Sequence, residues 1–294
     1  MALRPTFEPV FDIRAILGEG AFWSARHAAL YWVDIPAGLV HRSDPSDGRT
    51  QSWDLGQPVG CVTETTDGRV VAARSDGFAC FDPATGKVTP LGGPQPGTHG
   101  HRFNDGTTDP AGRFVAGTMG LTPRVVRQGA GRLYAFDEVT AHEIMGGFHT
   151  VNGLAFSPDG RTMYVADSLP AIQTIWACDY DVAAAAWSNR RVFFDCSAVA
   201  GRPGGGAMDT DGCDWMAGVS GWHLLRLTPD GKVDMELPVP VEKPSRIAFG
   251  GPRRDQLCVT SIAMPDDPAQ PLSGRVLTAH VPGVQGCDLP LMRL

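Results

Sequence analysis

The sequence predicts an all-β protein, a six-bladed β-propeller with four-stranded blades around a central channel. Two observations carry that prediction. A turn phrase closing on glycine recurs along nearly the whole chain, and short segments rich in β-branched and aromatic residues run between its copies. A third is negative: no segment sustains the 3.6-residue apolar period of a helix over three turns.

The phrase reads DPSDGRT at Asp44, TTDGRV at Thr65, DPATGKV at Asp82 and DPAGRF at Asp109. It returns as SPDGRTM at Ser157, DTDGCDW at Asp209 and TPDGKV at Thr228. Each copy places turn-forming residues ahead of glycine and then resumes a run of strand formers, the pattern of a tight hairpin. The flanking runs ALYWVDI, RVVAARS, RFVAGTM, TMYVADS, LLRLT and QLCVTSI are short and bounded by Gly, Pro and Asp, as strands should be. Gly68, Gly112, Gly160 and Gly212 recur at intervals of about 44 to 52 residues, so the 294 residues hold about six such units. Gly48, Gly86 and Gly231 mark a second turn within the unit. The Pro- and Gly-rich LGGPQPGTHG, residues 91–100, reads as a loop between blades. No interdomain linker stands out, and residues 1–294 are expected to form a single domain.

Composition narrows the function classes. At 43% hydrophobic and 19% charged residues the chain can bury a large core. A net charge of -7 without any basic run excludes a nucleic-acid footprint. No stretch approaches the roughly 20 apolar residues that span a bilayer, so no membrane partner is expected. The N-terminal stretch MALRPTFEPVFDIRA lacks the apolar core of a secretory signal. Seven cysteines, an odd number without a CxxC pair, read as free and mostly buried thiols. The cysteine usage points to the cytoplasm. The expected partner is a small-molecule substrate, and the chain is expected as a monomer or small homo-oligomer.

Four stretches place polar residues just ahead of an inner strand, where propellers open their channel. Glu19 stands between two glycines in LGEGAFWS, either as a surface carboxylate or as a ligand. Arg102, Asn104 and Asp105 cluster in HRFNDGTTDPAGRFVAGTM, residues 101–119, either as an Asx-turn or as a site. Asn152 and Gly153 interrupt HTVNGLAFSPDG, again either a turn or a ligand. The fourth is RPGGGAMDTDG, whose tail is a hairpin turn but whose triplet Gly204–Gly206 has no turn to explain it. His99 and His101, spaced as HGH, read as solvated histidines of a loop. Trp222 and His223 read equally as channel lining or as packing at a strand entry.

The motifs LGEG, RFNDGxxDPAGRFxAGTM, NGLAFSPDGRTMYVADS and AFGG at residues 248–251 resemble the senescence marker protein/gluconolactonase/regucalcin family, in the same order and over essentially the whole chain. The resemblance implies a six-bladed propeller with one divalent metal in the channel, and hydrolysis of sugar lactones in many members. It implies that Glu19, Asn104 and Asn152 are metal ligands, with Arg102 and Asn104 toward the substrate. Oxygen donors suit a hard ion, Ca²⁺ first, with Mg²⁺, Mn²⁺, Zn²⁺ or Fe²⁺ as alternatives. Counting back from Asp209 without a gap puts Gly204 where the family has an acid that serves as ligand and general base. A second departure follows Met119, where GLTPRVVRQGAGRLY brings no acidic residue before Asp137. Both departures remove negative charge from the site. Asp209 and Asp211 belong to the turn phrase, while His149, His101 and Asp105 stay open as substitute ligands.

The leading expectation is therefore metal-assisted lactone hydrolysis with an altered or weakened catalytic set. The alternatives are a related enzyme acting on a different ester or cyclic substrate, and a protein that binds a metal or small molecule with little turnover.

Overall fold

A computed structural model describes residues 5–294. Residues 1–4, the head of the N-terminal stretch read above, lie outside the described residues. The strands form six four-stranded antiparallel sheets. Each sheet is a blade, and the innermost strands are Gly18–Ser24, Val59–Glu64, His101–Thr108, Val151–Phe156, Arg202–Met208 and Pro244–Gly250 in blades 1 to 6. Each innermost strand packs against the next, and the sixth against the first, so the ring closes around a channel. The closure uses both ends of the chain. Glu8–Pro9 is the outermost strand of blade 6, pairing Glu8 with Thr278 and Pro9 with Leu277.

The recurrent phrases are hairpins because their glycines hold φ values that side chains resist, from +71° at Gly160 to +92° at Gly68. Their aspartates are structural. Asp209 accepts the N–H groups of Asp211 and Cys213, the indole N–H of Trp215 at 2.8 Å and Arg226 Nε at 2.7 Å. Asp109 accepts the N–H groups of Ala111 and Arg113 in the same way.

The core lies between blades, with a cluster at each interface. Between blades 2 and 3, Phe78 stacks on Phe136 at 4.5 Å and also meets Phe103 and Phe114. Between blades 1 and 2, Tyr31, Val33, Val62 and Phe81 pack together. Both faces of the second strands are covered too, which is why Ala29–Asp34 is buried at every position and apolar but for Asp34. The longest α-helical piece is Pro123–Val126, and no helix among the described residues is long and apolar enough to cross a membrane. All seven cysteines are free and six are buried, as the spacing predicts.

Candidate active site

The four polar side chains expected at the site come from three innermost strands that face one another across the channel. Glu19 and Asn152 are placed alike. Each precedes a glycine with left-handed φ, Gly20 at +59° and Gly153 at +61°, inside a bulge of the inner strand. Such a bulge takes glycine readily and re-aims the residue beside it. An aspartate on the second strand then braces the approach. Asp34 accepts the N–H groups of Ile16 and Leu17, and Asp167 those of His149 and Thr150.

Glu19 is buried, and Gly20 N–H donates to its Oε2 at 3.2 Å. Burial, reinforced by the Asp105 charge, pushes its carboxyl up to about 8 against the pull of Arg246, the Gly20 N–H and Arg102. Asn152 donates through Nδ2 to Ser168 Oγ at 3.0 Å and to the Pro203 carbonyl at 3.4 Å, leaving its Oδ1 near Gly153 N–H at 3.3 Å. Asn104 donates to the Val151 carbonyl at 2.9 Å, which turns its Oδ1 toward Arg102 Nη1 at 2.7 Å. Arg102 also donates to the Phe103 carbonyl, and burial pushes its guanidinium down to about 10.

Two residues complete the site. Asp105 is fully buried, and its carboxylate accepts the N–H groups of Gly106 and Leu154 and the Arg246 Nη1. It ties blades 3, 4 and 6 together beneath Glu19. Arg246 is the residue the sequence reading passed over. It is 3% exposed, its Nε has no partner, and it acts on both Glu19 and Asp105. Its signal was available, since KPSRIAFGG places an arginine within an inner strand that is otherwise small or apolar.

The glycine triplet finds its explanation here. None of Gly204, Gly205 and Gly206 adopts a left-handed φ, so turn conformation does not require them. Space does. A Cβ on Gly204 would stand 2.6 Å from the Ser245 carbonyl oxygen and 2.9 Å from that of Ala217. A Cβ on Gly205 would collide with Arg246 Cδ, because the arginine lies across that glycine. Gly206 is tight against the Trp215 carbonyl oxygen and Asp214 Oδ1.

The remaining sequence candidates resolve as follows. His149 belongs to the Asp167 brace, its Nδ1 3.2 Å from the carboxylate. His101 is not a solvated loop histidine. It is buried as the first residue of the blade 3 inner strand, with Nδ1 3.0 Å from the His99 carbonyl, because it lies just past the 91–100 loop and pairs in register with Gly120. His99 stays exposed. His223 is buried and pairs with Glu236 at 2.8 Å, while Trp222 is 43% exposed.

The family described as SMP-30/gluconolactonase/LRE-like region matches residues 17–263. The chain belongs to this family. Similar members include a 6-deoxy-6-sulfogluconolactonase of Pseudomonas putida, 37% identical over 98% of this chain and 99% of that one. Regucalcin of Xenopus laevis is 34% identical over 92% of each chain. Among solved structures, a calcium-binding regucalcin from Agrobacterium tumefaciens superposes with a TM-score of 0.91 at 26% identity, covering 99% of both chains. A luciferin-regenerating enzyme with a TM-score of 0.88 and 24% identity shares the fold.

Calcium-binding relatives make a divalent ion the natural expectation for a member of this SMP-30/gluconolactonase family. The residues present fit it poorly. Hard cations collect several oxygens, usually with more than one carboxylate. Glu19 is the one carboxylate of the expected set, and Arg102 already donates to the Asn104 oxygen. Gly204 offers no side chain, and the neighbouring Asp105 is paired with Arg246. Glu19 and Asp105 thus face two guanidinium groups. Among the described residues, no three His, Cys, Asp or Glu side chains group as a metal site.

Proposed function

We propose that this chain hydrolyses sugar-derived lactones at the channel mouth, preferring those that carry an anionic group. What supports it is that Glu19, Arg102, Asn104 and Asn152 lie on the innermost strands of three blades, in a chain of the gluconolactonase-like family. A relative named 6-deoxy-6-sulfogluconolactonase supports both the reaction class and the charge of the substrate. The mouth is basic: Arg102 pairs in register with Met119, and the segment that follows carries Arg124 and Arg127 and no acid before Asp137.

Arg102 presents a planar fork of donors to substrate hydroxyl or carbonyl oxygens, and Asn104, fixed at both ends of its amide, holds that guanidinium in place. Water adds to the ring carbonyl carbon while its proton passes to the Glu19 carboxylate. The carbon–oxygen bond of the ring then breaks, and the proton on Glu19 passes to the departing ring oxygen. The product is the open hydroxy acid, which ionises and releases one proton.

The test is a panel of five- and six-membered aldonolactones, neutral and bearing sulfonate or carboxylate groups, followed by proton release. Turnover above the spontaneous rate, greatest for the anionic members, is the expected outcome. No acceleration on any member would refute the reading.

A further inference from the structure

We propose that Arg246 takes the place of a divalent cation in this site. Its guanidinium, seated across Gly205 and paired with Asp105, is the permanent positive charge beneath Glu19. The claim about catalysis rests on the lactonase reading; the claim about metal binding does not.

Four observations carry it. The position where the resemblance implies an acid is a glycine, and it has little room for a side chain, since a Cβ there would stand 2.6 Å from the Ser245 and 2.9 Å from the Ala217 carbonyl oxygen. Gly205 is what admits the arginine, because any side chain there would meet its Cδ. Arg246 is built in rather than incidental. It is almost wholly buried, bonded to the fully buried Asp105, and acts also on Asp214, a second buried carboxylate whose Oδ1 has no partner. It also lines, together with Phe22 and Phe249, a cavity of about 320 Å³ whose wall does not include Glu19.

Charge explains why the two features belong together. An oxygen cage for a divalent ion needs surplus negative charge, which the ion cancels. With glycine at position 204 and a guanidinium from position 246 the site carries no such surplus. A dication beside Arg246 and Arg102 would meet two like charges in a site of low dielectric. The guanidinium also cannot dissociate or lose its proton at working pH, so the charge is always present.

The experiment is calorimetric titration of the purified, chelator-treated protein with Ca²⁺, Mg²⁺, Mn²⁺ and Zn²⁺, together with melting curves in each ion. The wild-type chain should show no saturable binding up to about 1 mM, the weak end of calcium sites. Arg246→Ser should melt earlier without metal and bind at least one of these ions at least tenfold more tightly, with its melting temperature rising as the ion is added. Arg246→Lys should behave as wild type. One equivalent of ion bound by the wild type with a Kd below about 100 μM would overturn the proposal. So would a folded Arg246→Ser that binds no better than wild type. Should that variant not fold, the wild-type titration still decides. Lactone hydrolysis indifferent to chelator is the expected catalytic companion. Should no lactone be turned over, the functional reading falls while the titration keeps its meaning.

Discussion

Blades 1 and 4 bring their innermost strands into the channel in one way, and blade 5 in another. In the first two, a polar residue, a left-handed glycine and a bracing aspartate recur: Glu19, Gly20 and Asp34, then Asn152, Gly153 and Asp167. Blade 5 has glycine where the polar residue should be, and Gly218 pairs in register just where the bracing aspartate would stand. Its strand is held instead by what crosses it, the Arg246 side chain from blade 6. The bulge is therefore a socket that the fold repeats, and the residue in the socket sets its chemistry. Blades 1 and 4 present oxygen to the channel; blades 5 and 6 present a cation.

The largest effect should come from emptying the blade 1 socket of its charge. Glu19→Gln keeps the shape, and because it removes a carboxylate that burial disfavours, the melting temperature should hold or rise. Lactone turnover should fall by about 10²–10⁴, the usual contribution of a positioned base. A rate within threefold of wild type would take Glu19 out of the chemistry.

The blade 5 arrangement can be broken by a double-mutant cycle. Gly205→Ala should cost about 1–3 kcal/mol, as overpacking does. In an Arg246→Ala background the same change should cost clearly less, because the 2.3 Å clash with Cδ is gone and only the 3.2 Å contacts with Cα and Cβ of residue 246 remain. Arg246→Ala alone should cost about 3–5 kcal/mol, since Asp105 is left buried without its counter-charge. Chemical denaturation measures all four proteins. Equal costs of Gly205→Ala in both backgrounds would show that the triplet is not there to admit the arginine.

Arg102→Ala should act on the mouth alone. It removes a donor fork from a half-buried position and opens no core cavity, so stability should stay within about 1 kcal/mol. We expect kcat/KM to fall by about 10- to 100-fold, chiefly through KM, and more steeply for anionic lactones than for neutral ones. An equal loss on both classes would keep Arg102 in the site but remove its part in charge selection.

The fold and the Glu19-Gly20 and Asn152-Gly153 pairs were legible in the sequence for a common reason: both are local. A turn phrase needs its glycine at left-handed φ, and the pairs Glu19-Gly20 and Asn152-Gly153 carry the bulge in two adjacent letters. The chain closure by Glu8–Pro9 was not legible, because two residues pairing with Thr278 and Leu277 leave no periodic trace. Arg246 was missed for a different reason. Its meaning depends on Gly205, 41 positions earlier in the numbering and in the neighbouring blade, and on Asp105 across the channel. Considered along the strand, Gly204 is only a missing side chain. Considered across strands, Gly205 is where the Arg246 side chain crosses.

The smallest expected effect concerns the scaffold behind blade 1, and separates it from blade 5. His41, on the third strand of blade 1, stacks against Trp32 with centroids 4.2 Å apart and meets Ser52 Oγ at 2.7 Å, while its Nε2 is buried without a partner. Burial pushes its imidazole down to about 4, opposed only in part by Asp34. The unfolded chain takes up the proton near the ordinary value of 6.5, whereas the folded chain resists until about 4. The stabilisation is therefore whole above pH 6.5 and is lost as pH falls through the window down to about 4. About 1–3 kcal/mol should disappear across that window. Because Asp34 also holds Ile16 and Leu17 ahead of Glu19, the loss should loosen the blade 1 socket before the blade 5 one. Melting temperature followed from pH 7 to pH 4.5 in wild type and His41→Gln is the measurement. The variant should start lower and fall less, and parallel curves would show that His41 is not the group being titrated.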